Sequence, residues 1–246
     1  KGKSDFQNTL GEIDSNTGRI LDALTAAGVA DNTIVIWTSD NGPETMEGIG
    51  VQYGGQSDSG PFRGEFPSAW EGAIHTPCIV RWPGHVPAGR TSNEILSILD
   101  FYRTLSDLTG NAGAVPTDRP VDSVNVADLL LGKSDKSPRD SALYFYRQDL
   151  LAVKWRNFKV HYHIHNPSRD TVTVPGQSSI TAFPVDLYYP MVFDIENDPK
   201  ELWNINAANG WLNTPVTKVM ASYYASVAKF PNIKPGADGP TAAPVQ

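Results

Sequence analysis

Apolar residues recur at helical spacing over the first part of the chain. Between Asp5 and Gly28 they follow one another at intervals of three and four residues, and Gly28 stands where a glycine commonly ends a helix. The next apolar stretch, Thr33 to Ser39, is nearly continuous, which is typical of a strand covered on both faces. A helix, a short loop and a buried strand in this order predict an α/β sheet with helices on both faces.

Three shorter elements follow this strand. The pattern predicts a second strand over Cys78 to Arg81, an amphipathic helix over Ser97 to Thr109 and a short helix over Ser123 to Leu131. The stretch from Glu44 to Phe66 is rich in Gly and Ser and has no clear period. Because long loops of this kind often line a functional site, we expect the site near it.

The hydrophobic pattern changes after about Ser141. The short segments ALYFYR, LLAVKW, FKVHYHIH and MVFDI are separated by polar turns, which predicts an antiparallel meander. A final helix is predicted over Pro215 to Lys229. The predicted fold class is therefore α/β, with part of a mixed or parallel sheet flanked by helices, followed by a small antiparallel α+β C-terminal subdomain.

We place the boundary between the two parts near Lys133 to Asp140, where polar residues and turn formers are concentrated. The first part, residues 1–138, would be the α/β domain. The second, residues 139–246, would be the antiparallel-sheet subdomain with its terminal helix.

Composition and charge narrow the classes of partner. The chain has 246 residues, 40% hydrophobic and 19% charged, which is an ordinary globular balance. A net charge of −7 argues against nucleic acid, and no apolar run approaches the roughly 18 residues that cross a bilayer. We therefore expect neither a nucleic-acid nor a membrane partner. The first residues, Lys1 to Ser4, form neither an initiator methionine nor a signal peptide, so we expect the chain to begin within a longer protein.

The predicted strand ends on Asp40 and Asn41, followed by Gly42 and Pro43. In open α/β sheets, ligand sites lie beyond the carboxyl ends of the strands. An Asp and an Asn there offer hard oxygen ligands, which suit Ca²⁺ or Mg²⁺ rather than zinc. From spacing alone the favoured interpretation is a turn whose side chains bond the local backbone, and a metal site is the alternative.

A second candidate region runs from Gly60 to Pro77. Arg63 could hold an oxyanion with its planar guanidinium, and His75 could bind a ligand or titrate. The simpler interpretation is a surface turn with an ordinary ion pair between Arg63 and Glu65 or Glu71, and the residues alone favour it.

The same stretches carry a resemblance to a known family. EIDSNTGRILDALTAAGVADNTIVIWTSDNGPE, then PFRGEFPSAWEGAIHTPCIVRWPG, resemble the sulfatase family of arylsulfatase-like enzymes in the alkaline phosphatase superfamily. SILDFYRTLSDLTG, AVKWRNFKVHYH and VFDIENDPKELWNI are similar to later segments of that family. The segments occur in the family's order from Lys1 to about Ile205 and resemble its C-terminal half.

The resemblance implies a sulfuric ester hydrolase that depends on Ca²⁺. Asp40 and Asn41 would be the second pair of calcium ligands, and Arg63 and His75 would contact the sulfate or the rest of the substrate. Such a substrate is a sulfate-ester small molecule or a sulfated carbohydrate. The resemblance also implies a periplasmic or secreted location.

The family's nucleophile is a formylglycine made in a Cys-x-Pro/Ala-Ser-Arg run beside the first metal aspartates. No such run occurs here, and the single cysteine, Cys78, lies in a strand predicted to be buried, so we expect it to be a core residue. The nucleophile is therefore expected in an upstream N-terminal half, which would act as the partner of this chain. This chain alone is expected to be inactive.

Two positions depart from the family pattern. Phe66 stands where many relatives carry a lysine that contacts the sulfate, and His75 stands where relatives usually carry arginine. Since a phenyl ring cannot donate a hydrogen bond to an anion, either Arg63 or His75 replaces that lysine or the substrate differs.

Histidines alternate in FKVHYHIH, at positions 161, 163 and 165. Alternate residues of a strand share a face, which raises the possibility of a zinc site. Because the resemblance places them in the C-terminal sheet, we favour a solvated face or rim.

Two other functions stay open. A phosphonate monoester or phosphodiester hydrolase of the same superfamily needs similar electrostatics, because fold does not settle chemistry. A non-catalytic truncated module that binds a carbohydrate or pairs with another chain would also account for the missing nucleophile.

Overall fold

Two separate antiparallel sheets are present in the computed structural model, which describes residues 5–43, 59–165 and 185–231. The smaller sheet pairs β1, Val35–Thr38, with β2, Cys78–Arg81. The larger sheet contains β3 (Ser141–Tyr146), β4 (Asp149–Trp155), β5 (Phe158–Ile164) and β6 (Val185–Asp194), in that order across the sheet. The predicted meander is confirmed.

Along the chain, helices precede, separate and follow the two strands of the smaller sheet. Helix α1 spans Asp5–Ala26, and Gly28 follows it with φ of +69°, the left-handed conformation that a terminating glycine adopts readily. Helices α2 (Glu71–Ile74), α3 (Asp100–Leu108) and α4 (Ala127–Leu130) follow. The last helix, α5, spans Asn213–Lys229. None of these helices is both long enough and apolar enough to cross a membrane.

The expectation that helices cover the first sheet is wrong for the described residues. No described side chain of α1 is buried, and its apolar residues Leu10, Ile13 and Ile20 are exposed. Cys78 is exposed as well, so its assignment to the core is also wrong. The physical reason is that, in the part of the chain that the structure describes, β1 and β2 pair without a third strand and no helix packs closely over them.

The larger sheet holds the core. One cluster lies between the sheet and α5, where Val160 and Val192 meet Leu212 and Val216. Two other clusters place Ala69 and Trp70 against the sheet, with the partners Leu151, Ala152, Phe193 and Ile195. The segment that precedes α2 is therefore anchored on the C-terminal sheet.

The fold class predicted from the sequence is confirmed as mixed α/β with an antiparallel C-terminal sheet. The domain boundary at residue 138 stays a prediction. Next to it, Arg139 forms two hydrogen bonds of 2.7 Å with the buried carboxylate of Asp100, at the start of α3. Asp100 also accepts the backbone N–H groups of Ser97 and Val124. This carboxylate joins α3 to the strand that begins at Ser141.

Replacing Asp100 with Asn tests this connection. We expect the free energy of unfolding to fall by roughly 3 kcal/mol, because the Arg139 guanidinium loses its charged partner in a buried site. Chemical unfolding of the complete protein measures the change. Asp107→Asn, an exposed position on the same helix, serves as the control. Equal stability of the two variants would contradict the assigned role.

Candidate active site

Asp40 and Asn41 lie just beyond the end of β1. The Asp40 carboxylate is exposed, and its Oδ1 accepts the backbone N–H of Asn41 at 2.9 Å. The side-chain amide of Asn41 donates to the carbonyl oxygen of Gly42 at 2.8 Å. The local turn predicted as the simpler interpretation is therefore present. Asp40 Oδ2 and the side-chain oxygen of Asn41 receive no hydrogen bond from the described residues.

These two oxygens fit a hard divalent cation, because carboxylate and amide oxygens are the ligands that Ca²⁺ takes in proteins. They do not make a complete site by themselves. Within the ranges that the structure describes, no group of three or more His, Cys, Asp and Glu side chains is placed to hold a metal ion. Further ligands would therefore be needed to complete a calcium site.

The loop that carries Asp40 and Asn41 is fixed against residues 63–75, called here the Arg63–His75 segment. The Gly42 amide donates to the Ala73 carbonyl oxygen at 2.7 Å, and the Phe66 amide donates to the Pro43 carbonyl oxygen at 3.0 Å. A Cβ atom on Gly42 would lie 1.8 Å from the Gly72 carbonyl oxygen, so only glycine allows this approach. The two candidate regions of the sequence therefore meet.

Arg63 stacks on a buried tryptophan. Its guanidinium carbon lies 3.9 Å from the centre of the Trp70 ring, and Nη1 donates to the Glu201 carbonyl oxygen at 3.1 Å. Gly64 has φ of +86°, and a Cβ there would lie 2.4 Å from the Cβ of Trp70. The Trp70 ring and the Glu201 carbonyl oxygen thus hold the guanidinium group of Arg63 in place.

His75 lies at the end of α2 with its side chain half exposed. Its ring stacks on Phe62 with 4.2 Å between centres, and Nδ1 lies 3.2 Å from Glu71 Oε2. Since a carboxylate only accepts hydrogen bonds, Nδ1 carries the proton and Nε2 is the nitrogen left for a ligand.

Glu71 is the centre of a buried group of charges that the sequence pattern does not reveal. Its carboxylate is 1% exposed and lies 3.0 Å from both Lys159 Nζ and Lys154 Nζ. The simpler sequence interpretation considered Glu71 as a partner of Arg63, whereas the structure pairs it with lysines of β4 and β5 and with His75. A burial this complete is tolerated because the carboxylate is fully paired.

Glu201 is the second buried carboxylate of this group. Its Oε1 accepts Nε2–H of His161 at 2.7 Å and lies 3.4 Å from Lys159 Nζ, while Oε2 accepts the Glu71 amide at 2.7 Å. The residue has φ of +50°, which is uncommon for a side chain other than glycine. We call Glu71, Glu201, Lys154, Lys159 and His161 the buried ion cluster.

Burial and charge act in opposite directions on the ionisation of the cluster. Burial would raise the pKa of Glu71, but Lys159, the hydrogen bond from His75 and Lys154 together outweigh it and hold that pKa well below its ordinary value of 4.5. Burial lowers the pKa of His161, against the opposing effect of Glu201, so its imidazole is neutral at pH 7. Glu71 therefore remains ionised in the interior.

The expectation of a solvated histidine face is wrong. His161 and His165 are buried, and His165 bonds the Pro67 carbonyl oxygen and stacks on Tyr146. His163 is partly exposed and pairs with Asp186 across the strands. A shift of register between 161 and 163 interrupts the alternation, and the three rings bond different partners. They form no common metal site among the described residues.

A signal for the missed cluster was present in the sequence. Lys159 and His161 alternate with Phe158 and Val160 in a predicted strand, and a charge inside a buried strand requires a partner of opposite sign. The sequence gives no means of choosing that partner, because Glu71 is 88 residues from Lys159. Phe66 is half-buried.

Comparisons with known proteins agree with this architecture. The profile of the sulfatase family matches residues 3–111, and the profile of the C-terminal region of aryl-sulfatase matches residues 137–237. The chain belongs to the sulfatase family, and the expected correspondence to its C-terminal half is supported.

Individual relatives show the same likeness. The chain is 34% identical over 227 residues to human arylsulfatase H, covering 87% of this chain and 40% of that protein. It is 30% identical over 224 residues to human N-acetylgalactosamine-6-sulfatase, covering 87% and 41%. The crystal structure of the sulfatase PsFucS1 from Pseudoalteromonas sp. is 30% identical with a TM-score of 0.78, covering 91% of this chain and 43% of that one. The chain thus spans about 40% of the length of these curated relatives.

Replacing Glu71 with Gln tests the electrostatics of the cluster. We expect the free energy of unfolding at pH 7 to fall by roughly 3 kcal/mol, because the buried Lys159 and the partly buried Lys154 lose their shared negative partner. A carboxyl whose pKa is lowered in the folded state stabilises that state above its ordinary pKa, here 4.5, and the stabilisation is lost as the pH falls below it.

The stability of Glu71→Gln should therefore decline less steeply than that of the wild type between about pH 5 and pH 3. Urea unfolding across this range measures both slopes. Glu196→Gln, at an exposed position, should keep the wild-type slope. Parallel curves for wild type and Glu71→Gln would show that Glu71 does not have a lowered pKa.

Proposed function

We propose that the protein to which this chain belongs is a Ca²⁺-dependent sulfuric ester hydrolase, in which Asp40 and Asn41 are metal ligands. The observation that supports this most directly is the contact between the two candidate regions of the sequence. The loop with Asp40 and Asn41 is hydrogen bonded to the segment that carries Arg63 and His75. The match to sulfatases along most of the chain supports the class of reaction.

The roles of the residues follow from their chemistry. Asp40 and Asn41 would supply two of the oxygen ligands, and the bound cation would offset negative charge on the sulfate oxygens. Arg63 presents a planar cation whose rear face packs on Trp70, and this arrangement suits contact with a tetrahedral oxyanion. His75 turns Nε2 away from Glu71, and this nitrogen would accept a hydrogen bond from a substrate hydroxyl, because the ring proton lies on Nδ1. Of the alternatives for the lysine that Phe66 does not provide, replacement by Arg63 suits an anion best, because its guanidinium donates hydrogen bonds.

The substrate class we propose is a sulfate ester, either a small molecule or a sulfated carbohydrate. Similarity to an N-acetylgalactosamine-6-sulfatase supports a carbohydrate. A periplasmic or secreted location stays a prediction.

The nucleophile is proposed to be a formylglycine outside residues 1–246. None of these residues offers the Cys-x-Pro/Ala-Ser-Arg run, and the exposed Cys78 lies in β2 without that context. The partner for the exposed apolar side of α1 would be the same N-terminal half of the family's catalytic domain. Ile79 on β2 is 60% exposed and would be covered in the same way.

Calcium titration tests the metal ligands. In the complete protein, Asp40→Ala should weaken Ca²⁺ binding roughly 100-fold or more, since losing a group that only supports a ligand already costs about 10- to 100-fold. Isothermal calorimetry measures this without any assay of activity. Asp31→Ala, an exposed carboxylate before β1, is the control and should bind as the wild type does. Unchanged affinity in Asp40→Ala would remove the metal assignment.

Turnover of two substrates tests the reaction. The complete protein should hydrolyse an aryl sulfate faster than an aryl phosphate diester, and Cys78→Ser should keep the wild-type rate because Cys78 is not the nucleophile. Residues 1–246 alone should show no turnover and should associate in light scattering through the uncovered apolar surface. A preference for the diester would favour the phosphoesterase alternative. Turnover by residues 1–246 alone would refute the external nucleophile.

A further inference from the structure

The Arg63–His75 segment is attached to the rest of the molecule on two sides. On one side, Ala73 and Phe66 are hydrogen bonded to the loop that follows Asp40 and Asn41. On the other side, Glu71 enters the buried ion cluster of the C-terminal sheet. The position of the segment therefore depends on contacts made by residues far along the chain.

Lys159 occupies the middle of that cluster. Its side chain is completely buried, with Nζ 3.0 Å from Glu71 Oε1 and 3.4 Å from Glu201 Oε1. The two carboxylate residues are also joined directly, since the Glu71 amide donates to Glu201 Oε2. Two buried carboxylates so close together repel each other unless a cation lies between them. Lys159 supplies that cation.

Arg63 and His75, the proposed substrate contacts, are each hydrogen bonded to one of the two glutamates. Glu71 Oε2 holds His75 Nδ1, and the backbone carbonyl of Glu201 accepts Arg63 Nη1. The amide of Gly72, beside Glu71, donates to the Arg63 carbonyl oxygen at 2.7 Å. A shift of the Glu71–Glu201 pair would therefore displace Arg63 and His75 together.

We propose that Lys159 is a positioning residue for the candidate active site. By holding Glu71 and Glu201 together, this lysine of the C-terminal sheet fixes the Arg63–His75 segment against the Asp40–Asn41 loop. The assignment of Arg63 and His75 as substrate contacts rests on the proposed function, whereas the fixing of the segment can be measured without it. Lys159 touches no substrate and acts only through the two carboxylates.

Hydrogen exchange in the complete protein tests the fixing of the segment. In Lys159→Met, the amides of Gly42 and Gly72 should exchange about tenfold faster or more, because their acceptors lie on the segment that is released. Amides of the β3–β4 pair should keep their wild-type protection. Lys136→Met, which removes an exposed lysine paired with Glu94, should change neither set. Wild-type protection of Gly42 and Gly72 in Lys159→Met would overturn the proposal.

Kinetics test the effect on the reaction. With an aryl sulfate, Lys159→Met should lower kcat/KM roughly 100-fold, which a displacement of about 1 Å can cause, at temperatures where the variant stays folded. The effects of Lys159→Met and Arg63→Met should be strongly non-additive, because one acts through the other. Additive effects would instead indicate a general loss of stability and would overturn the positioning role.

Glu201→Gln keeps the proposal testable if Lys159→Met does not fold. This variant keeps the shape of the side chain but removes the charge that Lys159 holds, and the same faster exchange at Gly42 and Gly72 is expected. Unchanged exchange there would overturn the proposal. Absence of sulfatase turnover in the wild type would refute the proposed function alone, because the exchange measurement does not depend on turnover.

Discussion

The buried ion cluster is the constraint on which the arrangement of the candidate site depends. Charged groups are buried only when their partners compensate for the lost hydration. Removing one partner leaves the other charge buried without compensation, which strongly destabilises the folded state. Glu71, Glu201 and Lys159 are all almost completely inaccessible, so their mutual geometry allows little variation. The short helix α2, which begins at Glu71, is held in place by this pairing more than by its own length, since an isolated turn of helix is unstable in water.

The sequence predicted the elements better than the contacts between them. Periodicity and turn residues, which are local signals, predict the strand Cys78–Arg81, the C-terminal meander and a last helix over Pro215 to Lys229, which the structure extends to Asn213–Lys229. The cluster was missed because its pairs are separated by 40 to 130 residues, and spacing carries no information about such distances. The meeting of the Asp40 loop with the Arg63–His75 segment depends on close backbone approach at Gly42, which a single glycine in the sequence does not reveal.

The two wrong burial predictions share one cause. A continuous apolar strand and an amphipathic helix each have an apolar face that packs against another element. Their sequence patterns do not identify that element. Cys78 and the apolar side of α1 are exposed in the described residues. His161 and His165 show the opposite error, since polar residues on an alternating strand are buried when each ring finds its own partner.

The distance in sequence between Glu71 and Glu201 also has a consequence for biosynthesis. A ribosome releases the Arg63–His75 segment long before it releases β5 and the turn that carries Glu201. Until then the Glu71 carboxylate has neither Lys159 nor the Glu201 side chain as a partner and stays hydrated. Non-local contacts of this kind form late in folding, because the chain must first close a long loop. The candidate site can therefore be assembled only after the segment that carries Glu201 has been translated.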